Sequence, residues 1–248
     1  MIYSRAAFLS DEDVKDFKTL DEEGWLMNNF RIVVNEGDWL AKTLRLPYFL
    51  GMKKGNLDPT NYGSLLVLDA YYCYNSVITI QTVKSRMHDN EKKYAIVLDD
   101  MDRLVDKYVD FAKTYLTDWH LASESTTSEG QIEYFDMEDT HVVPTDNVES
   151  YAYFERSQAK TQEPMLGLIT LFTCYEFWPL LFGSFGTDIP ASNVYRKWIL
   201  GNQGGNSAKV IDAMVERWTD AGNILSDEMV KNIFNDCLNY EYTMFKEM

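Results

Sequence analysis

The sequence predicts an all-α helical bundle, and three observations carry that prediction. Apolar residues recur at helical spacing through most of the 248-residue chain. Helix start signals stand in front of several of these runs, at Asp58-Pro59, Ser192 and Ser226. Finally, no alternating apolar–polar run is bounded by an Asn-Gly or Asp-Gly hairpin turn, and no internal repeat is evident.

Taken in order, Asp58-Pro59 offers an N-cap followed by proline at the first helical position. It opens a long run through Tyr62, Leu65, Leu66, Asp69, Tyr72, Tyr74 and Ile78. Met101, Leu104, Val105, Tyr108, Val109 and Phe111 define a second helical face without a clear cap. Pro164 can start a strongly apolar helix, because Met165 to Gly186 hold a single charge, Glu176. Its composition also fits a membrane span, but Glu176, Pro179 and the absence of Lys or Arg flanks favour the central helix of a bundle. Ser192 can cap a segment from Val194 to Leu200 that stops at Gly201. Ser226, followed by Asp227 and Glu228, puts acids where the helix dipole favours them, ahead of Val230, Ile233, Phe234, Leu238 and Tyr242. One stretch breaks the pattern. Leu121 to Ser150 carry eight acids and no Lys or Arg, which reads as a long solvated insertion.

Charge excludes several function classes. The chain has 23 Lys and Arg against 39 Asp and Glu, a net charge of −16. Nucleic acid and anionic membrane surfaces both demand clustered positive charge, so neither is an expected partner. Three cysteines argue against a disulfide scaffold and fit a reducing, cytoplasmic compartment. The first 20 residues lack a basic region followed by an apolar run, so no secretory signal is read there. His88, His120 and His141 each have an acid at helical spacing, in Glu91, Glu124 and Glu138. They are scattered and read as solvated ion pairs, so no metal is expected.

Four places put reactive residues inside apolar, aromatic helices. Asp69 shares a helix face with Tyr72, and a carboxylate there is costly to bury without a donor. Tyr151-Ala152-Tyr153 offers rings that can fill a core or stack on a flat ligand. Cys174 lies in Leu171-Phe172-Thr173-Cys174-Tyr175, and Glu241 lies between Tyr240 and Tyr242. Each residue also has an ordinary reading: Asp69 pairs with an arginine or caps a neighbouring helix, Cys174 is a small hydrophobe, and Glu241 sits on a wet helix face. The sequence leaves open whether Cys73 or Cys237 joins the site; Cys73, about 100° around the helix from Tyr72, is read as structural.

In series, these blocks resemble the TenA proteins (thiaminase II, aminopyrimidine aminohydrolase). Gly55-Asn56-Leu57-Asp58-Pro59 resembles the family's lead into its substrate helix, and Leu68-Asp69-Ala70-Tyr71-Tyr72 its Q-D-x-Y-Y. Tyr151-Ala152-Tyr153 lies where the family has a Tyr-x-Tyr pair. Leu171 to Tyr175 resembles L-L-P-C-Y. Tyr195-Arg196-Lys197-Trp198-Ile199 with Gly204-Gly205 resembles Y-x-x-W-I…G-G, and Tyr240-Glu241-Tyr242 resembles Y-E-Y. The match spans about residues 50–90 and 150–245.

The resemblance implies one haem-oxygenase-like all-α domain over residues 1–248, with an enclosed pocket for a 4-aminopyrimidine and no cofactor. It implies that Asp69 binds the ring nitrogen and amino group, and that Tyr72 and Tyr153 hold the ring. Cys174 is then the nucleophile and Glu241 the acid/base that releases the exocyclic amine, giving hydroxymethylpyrimidine for thiamin salvage. It also implies a homo-oligomer, dimer or tetramer. The sequence departs from the pattern at several places. Leu68 stands for the usual Gln, Trp178-Pro179 fills pocket positions often held by Tyr, and Thr243-Met244-Phe245 follows Tyr242. One extra residue before Gly204-Gly205 puts Gln203, or by the other count Asn202, at the family's pocket tyrosine. These differences leave two alternatives open: a TenA-like hydrolase acting on another amine-bearing substrate, and a TenA-like pyrimidine-binding or interaction protein with little catalysis.

Overall fold

A computed structural model describes residues 24–87, 91–118, 142–205 and 207–248. All three histidines and the acidic stretch from Leu121 to His141 lie outside the described residues. Among the described residues there are ten helices and no strand: α1 (Trp25–Glu36), α2 (Trp39–Leu44), α3 (Pro47–Lys54), α4 (Pro59–Met87), α5 (Glu91–Asp118), α6 (Asp146–Ala159), α7 (Leu166–Gly183), α8 (Arg196–Gly201), α9 (Ser207–Asp220) and α10 (Asp227–Glu247).

Local chemistry sets several of these boundaries. The Asp58 carboxylate accepts the Thr60 amide at 2.8 Å, so α4 begins at Pro59 as its cap predicts. The Ser226 hydroxyl accepts the Met229 amide at 3.2 Å, with Asp227 and Glu228 in the first turn of α10. Two expectations are corrected. The end of the acidic stretch is helical rather than a loop: Thr145 caps α6 by accepting the Val148 amide, and Asp146 and Glu149 stand in its first turn. Likewise Ser192 is not a cap. Its neighbour Asn193 turns the chain, accepting the Tyr195 amide at 2.8 Å and donating to the Met52 and Lys53 carbonyls, so that α8 starts only at Arg196.

The apolar helix α7 is the axis of the bundle. It packs against α4, α6, α9 and α10. With a mean hydropathy of 1.4 it is long and apolar enough to cross a membrane, yet 78% of it is buried inside the protein. A helix surrounded by neighbours needs apolar residues on every side. Its Phe172 meets Phe30 of α1 and Phe234 of α10 at centroid distances of 5.6 Å each, and those two rings lie 5.2 Å apart. Close approach at its other end requires glycine. A Cβ on Gly167 would lie 2.7 Å from the Ala159 Cβ and 3.0 Å from Val83, which lets the starts and ends of α7, α6 and α4 touch. The result is a core in which α4, α6, α7 and α10 face one another along a single seam.

Candidate active site

Helical periodicity places the reactive residues in that seam. Positions three or four apart share a helix face. On this rule α4 contributes Asp69, Tyr72 and Ser76, and α6 contributes Tyr151 and Glu155. In the same way α7 contributes Cys174 and Trp178, and α10 contributes Cys237 and Glu241. All of them are buried, including three carboxyl groups: Asp69 is 1% exposed, and Glu155 and Glu241 are fully enclosed. Polar groups so placed are kept by hydrogen bonds, and the bonds present define the site.

The Trp178 indole donates from Nε1 to Oε2 of Glu241 at 3.1 Å, and the Tyr151 hydroxyl approaches Oε1 at 3.5 Å. Tyr72 donates its hydroxyl to Oε1 of Glu155 at 2.5 Å. The Tyr72 and Tyr151 rings are tilted against each other at 5.0 Å, and Tyr151 stacks on Tyr240 at 5.1 Å and 7°. Cys174 lies within electrostatic reach of both Tyr72 and Tyr151. Burial pushes both phenols well above their ordinary pKa. Glu155 beside Tyr72, and Cys237 and Glu241 beside Tyr151, push the same way. The two tyrosines therefore work as neutral hydrogen-bonding phenols, not as bases. The Cys237 thiol is also held up by burial, then by Glu155, against hydrogen bonds with Thr173 and Tyr151. All three cysteines are free and buried.

At the Asp69 end, Tyr48 of α3 closes the seam. Its ring packs on Phe49 and Phe245, and its hydroxyl is buried with no hydrogen-bond partner, within electrostatic reach of Asp69. Trp198 crosses Trp178 at 5.7 Å, and its indole N–H is likewise buried without a hydrogen-bond partner. Leaving such a donor unpaired costs on the order of 1–3 kcal/mol. The Tyr48 hydroxyl, unpaired and near the buried Asp69, is a donor that a polar ligand could satisfy. Among the described residues no three His, Cys, Asp or Glu side chains form a group that could hold a metal.

Asp69, Tyr72, Cys174, Trp178 and Glu241 are thus all buried in this seam, and the reading of Glu241 on a wet helix face does not apply. Two expected site residues are elsewhere. Tyr153 is 68% exposed: residues two apart on a helix point about 200° from each other, so with Tyr151 facing in, Tyr153 faces out. Gln203 donates its amide to the Phe182 and Gly186 carbonyls at 3.0 and 2.8 Å, clasping the end of α7. Asn202, the alternative position, is fully buried and donates to the Trp198 carbonyl at 2.8 Å. Glu155, Tyr48 and Tyr151 are the seam residues that sequence reasoning missed as individual site members. For Glu155 the available signal was its one-turn spacing from Tyr151.

These helices and their buried polar seam define an all-α protein of haem-oxygenase-like fold. Its particular form is the TenA fold. A TenA homologue from P. horikoshii OT3 superposes with a TM-score of 0.63 over 89% of this chain and 96% of its own, at 14% identity. A TenA homologue from Pyrococcus furiosus does so with a TM-score of 0.64 over 88% and 98%, at 11% identity. No family model matches the sequence, and no curated protein matches it either.

Proposed function

We propose that this protein is a TenA-type aminopyrimidine aminohydrolase. On this reading it releases ammonia from 4-amino-5-aminomethyl-2-methylpyrimidine, or cleaves thiamin, to give the hydroxymethylpyrimidine. The observation that carries the reading is the meeting of Cys174, Glu241, Asp69 and Tyr72 in one buried seam of a TenA fold.

The chemistry needs each of these groups. Cys174 adds to the pyrimidine as a thiolate, forming a carbon–sulfur bond and interrupting ring aromaticity. The exocyclic amine then departs without leaving a bare carbocation. Glu241 gives the departing nitrogen its proton and recovers one from the incoming water, whose oxygen takes the amine's place as the thiolate is released. The indole of Trp178 keeps that carboxyl fixed in orientation. Asp69 accepts from the 4-amino group, and Tyr48 has a free phenolic proton beside it for a ring nitrogen. Exclusion of water by the buried Phe245 and Trp198 strengthens these interactions. The reading goes with a cytoplasmic homo-oligomer that needs no cofactor.

One observation favours a second reading, a TenA-like hydrolase for a different amine. Glu155 adds a third buried carboxyl to the seam and Trp178 fills space beside Glu241, and together they alter what fits there. A screen of thiamin, the aminomethylpyrimidine, its formylated analogue and a set of non-pyrimidine primary amines, read as amine release by the purified protein, separates the two. The first reading predicts turnover of a pyrimidine above all other amines. Preference for a non-pyrimidine amine supports the second.

A further inference from the structure

Glu155 belongs to the polar Phe154-Glu155-Arg156-Ser157 stretch of α6, yet its side chain is fully buried. Tyr72 donates to its Oε1 at 2.5 Å, and Ser76, one turn further along α4, reaches its Oε2 at 3.5 Å. A phenol has a single proton. With that proton directed at Glu155, the Tyr72 oxygen can only accept from a third group. The ring cannot swing away, because Tyr151 packs against it at 5.0 Å and both tyrosines are almost wholly buried.

We propose that Glu155 is a positioning residue that sets the specificity of the site: by taking the Tyr72 proton, it makes Tyr72 present a hydrogen-bond acceptor to the N–H of an amine-bearing ligand beside Cys174. The inference rests on the aminohydrolase reading above and deepens it. A buried acceptor left unpaired by the wrong ligand is penalised, so a fixed acceptor selects for ligands that carry a donor there. Without Glu155 the Tyr72 hydroxyl can rotate and donate, and that selection is lost. The high pKa of Tyr72, held up by burial and by Glu155, agrees with a phenol that keeps its proton throughout.

The test is a double-variant cycle with Glu155→Leu and Tyr72→Phe, read as kcat and KM for the aminomethylpyrimidine. Each single change is expected to raise KM about tenfold with a smaller effect on kcat, and the double variant to be no worse than either. Glu155→Gln, whose carboxamide oxygen still accepts, is expected to recover most of the loss. Additive effects, or a lowered Tm with KM unchanged, overturn the proposal. A second readout does not depend on turnover or on a variant's folding. The buried Tyr72–Glu155 bond should give the wild-type protein an exchange-protected hydroxyl proton resonance that is absent from Tyr72→Phe. Absence of that resonance from the wild type overturns the inference about Glu155. Its presence in a protein that releases no amine from any pyrimidine leaves the positioning of Tyr72 standing and removes only the assignment of the reaction.

Discussion

The indole N–H of Trp178 on α7 donates to the Glu241 carboxylate on α10 at 3.1 Å, deep inside the bundle. This bond ties the two helices that carry the proposed nucleophile and the proposed acid/base. Trp178→Phe keeps the apolar wall against Phe245 and Trp198 but removes the donor. We expect about 1–3 kcal/mol of lost stability in urea unfolding, together with a fall in kcat larger than any change in KM, because Glu241 loses its orientation. A variant with wild-type kcat separates the tryptophan from the chemistry.

The two tyrosines of α6 should behave oppositely. Tyr151→Phe removes a buried hydroxyl that reaches Glu241 and bonds Cys237, whereas Tyr153→Phe alters a ring that is 68% exposed. Amine release should fall in the first and stay unchanged in the second. Equal losses in both would mean that α6 presents its other face to the ligand.

Asp212 gives the fold a pH dependence of known sign. This α9 carboxylate accepts the Leu26 amide at 3.2 Å at the start of α1, and Gly24 makes room for it: a Cβ there would lie 2.1 Å from Oδ2. Burial raises the Asp212 pKa from 3.8 to about 6, against the amide bonds from Leu26 and Met27. The folded state therefore binds the proton more tightly than the unfolded chain. Its contribution is full below the unfolded value and is lost as pH rises through about 6. Urea unfolding of the wild type should show about 1–2 kcal/mol of this loss across that window, and Asp212→Asn should not. Parallel pH profiles for the two proteins would contradict the assignment.

Gly167 tests how tightly α7 sits on its neighbours. Alanine at an exposed helical glycine gains up to about 1 kcal/mol, but here the added methyl meets Ala159 at 2.7 Å. Overpacking of about 1–3 kcal/mol should dominate, so Gly167→Ala is expected to lower Tm. A raised Tm would show that α6 and α7 can part without cost.

Much of the fold was legible because its signals are local. The caps at Asp58 and Ser226 and the apolar run of α7, with Glu176 its single charge, need only neighbours in sequence to be understood. Asp69, Cys174 and Glu241 stand out as acids and a thiol within apolar helices, but only the resemblance to the TenA proteins, with the blocks in series, made them and Trp178 expected site residues. Glu155 was not, since Phe154-Glu155-Arg156-Ser157 has the composition of a solvated surface and only packing on Tyr72 shows which way it faces. Tyr153 and Tyr151 look alike in a Tyr-Ala-Tyr stretch until the phase of α6 is fixed by its neighbours. Gln203 was assigned by counting from the glycines, and counting along a loop does not say that its amide will close the end of α7. The start of α6 was hidden because Asp146 and Glu149 read as more of the acidic stretch, although they are the first-turn acids of a helix capped by Thr145.

The central claim is that Cys174 attacks the substrate. The direct measurement is ammonia release from 4-amino-5-aminomethyl-2-methylpyrimidine by the wild-type protein and by Cys174→Ala at equal concentration, with Tm recorded for both. Removing one buried sulfur should lower Tm modestly, by an amount set by a cavity of about one atom. The account predicts that the folded variant loses turnover to the level of buffer. Undiminished turnover by a folded Cys174→Ala protein would contradict it.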